Sequence, residues 1–427
     1  MTVHVAGHRV VVDPRSAWQA AREEVATEPL ALRWWIVALV GLVGVGAVAA
    51  LFTIPPGTEV FGTSPVFEWG LLIATYVFLV VTTSGLCLVS SLGQVFGIER
   101  FQPVCRRAVA MAILFLLAGF IVIALDLHYP VRLLFGVVMS PSPTSPMWWM
   151  GTVYAVYLVF LLLEFAGLLL HEERIARPAG LAALVCAIVA PSTLGAVFGV
   201  IAARPFWHGP FVPVYFLMSA LLSGTAALGI VYGLVNRFGL RGATTDVDRV
   251  VPALRALLAL MIAITIVFTA WQCFIGLYGG IPGLSEATEA ELIGPLAPRF
   301  WIFRVLVGLA IPLAILLHPR TRTPEGLLAA SSFAFVGMLA DRILFVSAAQ
   351  IAPPTAASGI VGTPYVDYSP SPVELGIVIG ALAFVALGYT LAERFLDLRE
   401  HGDREPTPPA VRTSGAPARA EVPEGVH

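Results

Sequence analysis

Lysine is absent from the 427 residues, and charged side chains make up only 12% of them, against roughly 25% in a soluble domain. Every basic residue is an arginine, which reads as a compositional bias and says nothing about function. The scarcity of charge excludes an ordinary soluble globular protein, and nucleic acid is not expected as a partner. Cysteine is also scarce: Cys87, Cys105, Cys186 and Cys273 stand alone with no CxxC spacing, so this chain is expected to hold neither an iron–sulfur cluster nor a zinc ion. Histidine pairs within apolar runs are lacking too. His4, His8, His401 and His427 lie towards the termini, His171 and His318 at the ends of runs, and His128 and His208 at loop edges. A b-type haem needs axial ligands projecting from facing helices, and none is expected.

What remains is apolar. The chain is 58% hydrophobic, with a mean hydropathy of +0.87. Stretches near the roughly 20 residues that cross a bilayer fall at about 32–53, 66–95, 106–127, 147–170, 180–202, 211–236, 250–277, 299–318, 325–349 and 372–395. No cleavable leader is read before the first of them. Arginine alternates between the connecting segments. Arg9, Arg15, Arg22 and Arg33 precede span 1, and Arg100, Arg106, Arg107, Arg174, Arg177, Arg237, Arg241, Arg249, Arg320 and Arg322 occupy every second loop. The other loops hold only Arg132, Arg204 and Arg299. Positive-inside bias predicts ten transmembrane helices in a bacterial inner membrane, with both termini cytoplasmic. Three segments result: 1–29 cytoplasmic with a short surface helix around "SAWQAAREEV", 30–397 the ten-helix membrane domain, and 398–427 a Pro/Ala-rich disordered tail. No loop has room for a soluble catalytic domain.

Span 2 contains "YVFLVVTTSG" and span 6 "YFLMSALLSG", so Tyr76–Ser84–Gly85 and Tyr215–Ser223–Gly224 share their spacing. Spans four helices apart and entering from one side fit a parallel duplication. The fold class expected is therefore all-α and polytopic, as two four-helix bundles (spans 2–5 and 6–9) plus spans 1 and 10.

Ionisable groups within a span are costly, and they face bundle interiors or cavities. "ALDLHYPVRL" closes span 3, with Pro130 ending the helix, Asp126 about one turn inside it, His128 at the boundary and Arg132 beyond. At the same outer depth lie Glu68 in "PVFEWG", Arg204 and His208 in "ARPFWHGP", and Tyr154 and Tyr157 in span 4. Two readings stand open: an interfacial helix end tied to lipid headgroups, or a site for proton-coupled chemistry. Trp148, Trp149 and Trp207 read as an aromatic belt. Deeper, Glu164, Asp341 and Arg342 are candidates for a proton path, or else for inter-helix salt bridges. Adjacent Asp341 and Arg342 are expected to project on different faces and to pair with other helices.

"PVFEWGLLIATYVFLVVTTSGLCLVSSLGQVFG", "FQPVCRRAVAMAILFLLAGFIVIALDLHYPVRL", "SPMWWMGTVYAVYLVFLLLE", "ARPFWHGPFVPVYFLMSALLSGTAALGI" and "ADRILFVSAAQ", in that order, resemble the NrfD-like family, the membrane subunits related to polysulfide reductase. The resemblance runs from about residue 30 to 395 and suits the ten-span branch, similar to membrane subunits of periplasmic hydrogenases and of alternative complex III. It implies a quinone or quinol (menaquinone or ubiquinone) bound near the outer surface. It also implies an iron–sulfur, ferredoxin-like partner above it and a molybdopterin or other catalytic subunit beyond. Asp126 carries over as the catalytic carboxylate, with His128 and Glu68 beside it. Tyr154, Tyr157, Arg132, Arg204 and His208 would hold the quinone. Where the family often has glycine after "DL", this chain has His128. Two function classes follow: a quinone-reactive membrane subunit, and, from the span count and repeat alone, a secondary transporter of a small solute. The outer loops, about 54–65, 128–146 and 278–298, are expected to dock the partner.

Overall fold

A computed structural model describes residues 2–5, 8–11, 30–53, 60–127, 141–237, 243–352, 365–396 and 398. Among these described residues, ten helices are long and apolar enough to cross a membrane. Span 1 is Leu30–Leu51, span 2 Leu71–Gln94, span 3 Cys105–Asp126, span 4 Pro146–Leu169 and span 5 Glu173–Gly199. Span 6 is Phe211–Arg237, span 7 Ala243–Tyr278, span 8 Arg299–Leu317, span 9 Pro324–Ile351 and span 10 Pro372–Phe395. Outside these, a 3-10 turn at Glu99–Val104 precedes span 3, and a short helix, Leu284–Leu292, connects spans 7 and 8. Among the described residues the only strands are β1 (Thr2–Val5) and β2 (His8–Val11), paired antiparallel. The expected surface helix at 16–25 and the tail after 398 lie outside the described residues.

Helix boundaries follow local chemistry. Span 9 opens on Thr323, whose hydroxyl accepts the Gly326 N–H, with Pro324 next. Span 10 opens on "SPVE", a reciprocal cap between Ser371 and Glu374; both arrangements satisfy N–H groups that a helix start leaves unpaired. Span 3 ends at Asp126, with Leu127 already extended. The expectation of a further turn to Pro130 is corrected: the helix ends at Asp126, four residues before a proline that has no N–H to give its carbonyl.

Span 2 is buried along almost its whole length and span 1 hardly at all. Span 2 packs on spans 3, 5 and 6, span 4 on spans 3 and 5, span 6 on spans 7 and 9, and span 9 on span 8. Span 10 packs on spans 1 and 3. Small residues set the closest crossings, as they do where lipid supplies no hydrophobic drive between helices. Gly85 of span 2 and Gly224 of span 6 meet backbone to backbone, so a Cβ on either would overlap the other helix. These two glycines are the matched positions of the internal echo.

Candidate functional site

The two ends of the molecule differ in arginine, and of the residues singled out above Glu68, Asp126, Arg204 and His208 lie towards the arginine-poor one. Arg204, in the loop between spans 5 and 6, donates to the carbonyls of Ala352 at 3.0 Å, Ala349 at 3.3 Å and Val66 at 2.9 Å. Its guanidinium thus ties the end of span 9 to the loop before span 2 through both terminal nitrogens. Burial holds Arg204 below its ordinary pKa, with Glu68 opposing that shift. Glu68 and His208 are exposed. Trp207 is 2% exposed and donates to the Phe345 carbonyl at 2.8 Å. It stacks on Trp69 with ring centroids 5.0 Å apart. Trp207 is therefore a packing residue and not part of an aromatic belt, whereas Trp149 is exposed.

Asp126 is half-buried at the end of span 3. His128 and Arg132 lie outside the described residues. Two groups absent from the sequence reading stand near Asp126: Tyr368 and Glu374. Glu374 is 1% exposed. Its carboxylate accepts from the Tyr368 hydroxyl at 2.8 Å, Gly62 N–H at 3.0 Å, Ser371 N–H at 2.8 Å and Leu71 N–H at 3.3 Å. It caps span 2 and span 10 together. Burial, and then the Glu374 carboxylate, push the Tyr368 phenol above its ordinary pKa. Among the described residues, no group donates a hydrogen bond to Asp126.

Tyr154 and Tyr157 do not join Asp126 by any hydrogen bond. Both are fully buried on span 4, with ring centroids 6.5 Å apart. Tyr157 donates to the Thr83 carbonyl at 3.5 Å, while the Tyr154 hydroxyl has no partner among the described residues. Glu164 shares their face seven residues on from Tyr157 and is 1% exposed, with its Oε2 unpaired. Thr75 and Thr152 hydroxyls and the Gln94 side-chain oxygen are likewise buried and unpartnered. Spans 2 and 4 thus each carry buried polar atoms left without a partner among the described residues.

The second polar cluster is built by spans 6 to 9. Asp341 Oδ1 lies 2.8 Å from Arg304 Nε and accepts from the Tyr215 hydroxyl at 2.7 Å. Its Oδ2 meets Arg342 Nη1 at 3.3 Å. Arg342 also donates to the Ser219 hydroxyl and lies over the rings of Phe216 and Tyr215. Arg304 reaches Gln272 at 3.1 Å and Thr269 at 3.4 Å, with Glu291 Oε1 at 3.8 Å. Both Asp341 and Arg342 do pair with other helices, yet they also bond one another, because arginine is long enough to fold back on its neighbour. The Glu291 role escaped the sequence reading. Its signal was faint: within "EATEAEL" it shares a helical face with the buried Ala287 and Thr288, whereas Glu289 is exposed. Among the described residues no three His, Cys, Asp or Glu side chains converge as metal ligands.

The comparisons with known proteins agree with one another. Residues 59–354 match the family described as polysulphide reductase, NrfD. The chain is 29% identical over 359 residues to the Hdr-like menaquinol oxidoreductase integral membrane subunit of Archaeoglobus fulgidus, covering 79% of this chain and 86% of that one. It is 25% identical to a selenate reductase subunit of Mesobacillus selenatarsenatis, over 81% of this chain and 90% of that one. To a putative dimethyl sulfoxide reductase membrane subunit of Halobacterium salinarum it is 26% identical, over 86% and 92%. The chain belongs to the polysulphide reductase, NrfD, family.

Proposed function

We propose that this chain is the quinone-reactive membrane subunit of a multi-subunit oxidoreductase, exchanging electrons between a membrane quinone pool and an iron–sulfur partner. The observation that carries the reading is Asp126: a half-buried carboxylate at the arginine-poor end of span 3 with no described hydrogen-bond donor. A carboxylate so placed is free to accept a proton from a substrate hydroxyl. Family membership and the menaquinol oxidoreductase relative supply the substrate class. Oxidation of a quinol releases two electrons and two protons. The electrons leave to the partner, docked on the arginine-poor face over the loops at about 54–65, 128–146 and 278–298, and a molybdopterin or other catalytic subunit lies beyond it. Asp126 takes a proton, His128 and Glu68 assist at the same surface, and Tyr368 and Glu374 fix the floor beside it. We assign the arginine-rich face to the cytoplasm of a bacterium, with both termini on that side, from positive-inside bias.

The interior groups fit proton movement. Glu164, Tyr154 and Tyr157 form one candidate route, whose unpaired atoms call for bridging water; Asp341 and Arg342 belong to a second. A solute transporter is not favoured, since the relatives are membrane subunits of oxidoreductases. The test is photolabelling with an azidoquinone. Labels on the arginine-poor ends of spans 2, 3 and 4 support the site, and labels confined to the arginine-rich ends overturn it.

A further inference from the structure

Glu291 lies outside the ten spans, on the connecting helix, yet it is only 1% exposed. Its Oε1 has no hydrogen-bond partner among the described residues, and its counter-charge, Arg304 Nη1, stands 3.8 Å away. A charge-assisted hydrogen bond would need about 2.7–2.9 Å. Arg304 is held more closely on its other side, by Asp341 at 2.8 Å. Glu291 is thus the weakly held charge of the cluster, and removing a carboxylate from water without such bonds is costly. Burial pushes Glu291 up to about 7, with Arg304 opposing that shift.

A cavity lies along the spans that carry Arg304 and Asp341. Above the cluster, towards the arginine-poor end, a half-open cavity of about 110 Å³ is lined by Phe67, Leu296, Arg299, Ser347, Asp367 and Tyr368. Ser347 follows Asp341 on span 9 by roughly 9 Å of helix rise, and Arg299 precedes Arg304 on span 8. The cavity has room for water and the polar lining to hold it. The stretch Arg299–Ala310 is π-helical, with Arg304 in its middle, and such turns recur where function needs an unusual side-chain aim.

We propose that Glu291 is a proton-loading site, fed by water in this cavity, whose change of charge sets how Arg304 is shared. Ionised, Glu291 and Asp341 divide Arg304 between them, and with Arg342 the cluster is neutral. When a proton binds, the carboxylate becomes a carboxylic acid, Arg304 belongs to Asp341 alone, and the cluster carries one net positive charge. The groups facing Glu291 are Arg304 from span 8, Asp341 from span 9 and Cys273 from span 7, with Glu286 and Glu289 on its own helix. The proposal rests on the reading that protons move with electrons here, but its test does not require quinol.

Infrared difference spectroscopy on the purified full chain, titrated through neutral pH, reads the site directly. We expect the carbonyl-stretch band of a buried carboxylic acid to fade as pH rises through about 7. That band is lost in Glu291→Gln and displaced in Glu291→Asp. In vesicles of the complete complex, Glu291→Gln lowers the number of protons that appear per electron transferred. An unchanged band in Glu291→Gln overturns the proposal and leaves the quinone reading standing. Should that variant not assemble, a titrating band that fails to move in Glu291→Asp overturns it equally. The expected band with no quinol oxidation by the wild-type complex upholds Glu291 and removes the quinone reading instead.

Discussion

Spans 2–5 and spans 6–9 handle the same problem, polar groups inside a membrane, in opposite ways. Between spans 2 and 4 the polar atoms are mostly neutral and several are unpaired: Thr75, Thr152, Tyr154 and one oxygen of Glu164. Between spans 6 and 9 they are charged and packed into a lattice around Asp341, which touches Tyr215, Arg304 and Arg342. The matched tyrosines make the contrast concrete. Tyr215 donates to Asp341 at 2.7 Å, whereas Tyr76, among the described residues, finds the Met150 sulfur at 3.7 Å. Unpaired buried groups ask for water and permit rearrangement; paired ones fix geometry and penalise the loss of any member. Spans 2 and 4 are therefore suited to conducting, whereas the charged side holds Asp341 in a defined arrangement and leaves Glu291 as its loosely held member.

The comparison breaks most visibly at Asp341. Replacing it with alanine leaves Arg304 and Arg342 without their carboxylate, and removing one partner of a buried pair costs about 3–5 kcal/mol. Asp341→Ala should therefore fall sharply in thermal stability in detergent, while Glu164→Gln should not, because Glu164 has no ionic partner among the described residues. Equal losses would erase the distinction.

Next in size is Arg204. Its three carbonyl contacts are bonds to a charged group, but the side chain is only half-buried, and screening leaves the set worth about 1.5–3 kcal/mol in all. Arg204→Ala should lower the melting temperature and leave the KM for quinol nearly unchanged. A raised KM with unchanged stability would return Arg204 to the quinone site.

The tyrosine pair gives a smaller effect. Tyr215→Phe strips a hydrogen bond from Asp341 and should cost about 1–3 kcal/mol; Tyr76→Phe and Tyr154→Phe should lie within about 1 kcal/mol of wild type. Chemical denaturation of the three variants side by side decides it. Last comes the pH dependence of Glu291. Its folded pKa is raised to about 7, so the protonated form favours the fold. Its contribution is present in full below the ordinary carboxylate range and is lost as pH rises through about 7. Glu291→Gln should flatten that part of the stability profile, and an unchanged slope would contradict the assignment.

Much of this was legible before any coordinates. Hydropathy delivered ten spans in order, while the Tyr–Ser–Gly spacing, read as a sign of duplication, gave no hint that its glycines, Gly85 and Gly224, meet. What stayed hidden is tertiary. Lipid tails are as apolar as a helix interior, so the apolar pattern of a span does not mark its buried face; on span 4 only the polar residues Tyr154, Tyr157 and Glu164 do. Nothing local couples Leu71 to Glu374 or Arg204 to Ala352, contacts that join distant parts of the chain. The "SPVE" cap was a readable signal for Glu374, but it announced a helix start and not a second role beneath span 2. Arg204 and Trp207 were drawn to the surface by their loop position, although their side chains turn inward.

The central claim is that Asp126 receives a proton from quinol at the arginine-poor end of span 3. Quinol-dependent electron transfer in membranes carrying the assembled complex with Asp126→Asn tests it most directly. General acid–base groups of this kind contribute about 10²–10⁴-fold, so the account predicts a loss of that order, with assembly and thermal stability kept. Turnover at the wild-type rate would contradict it.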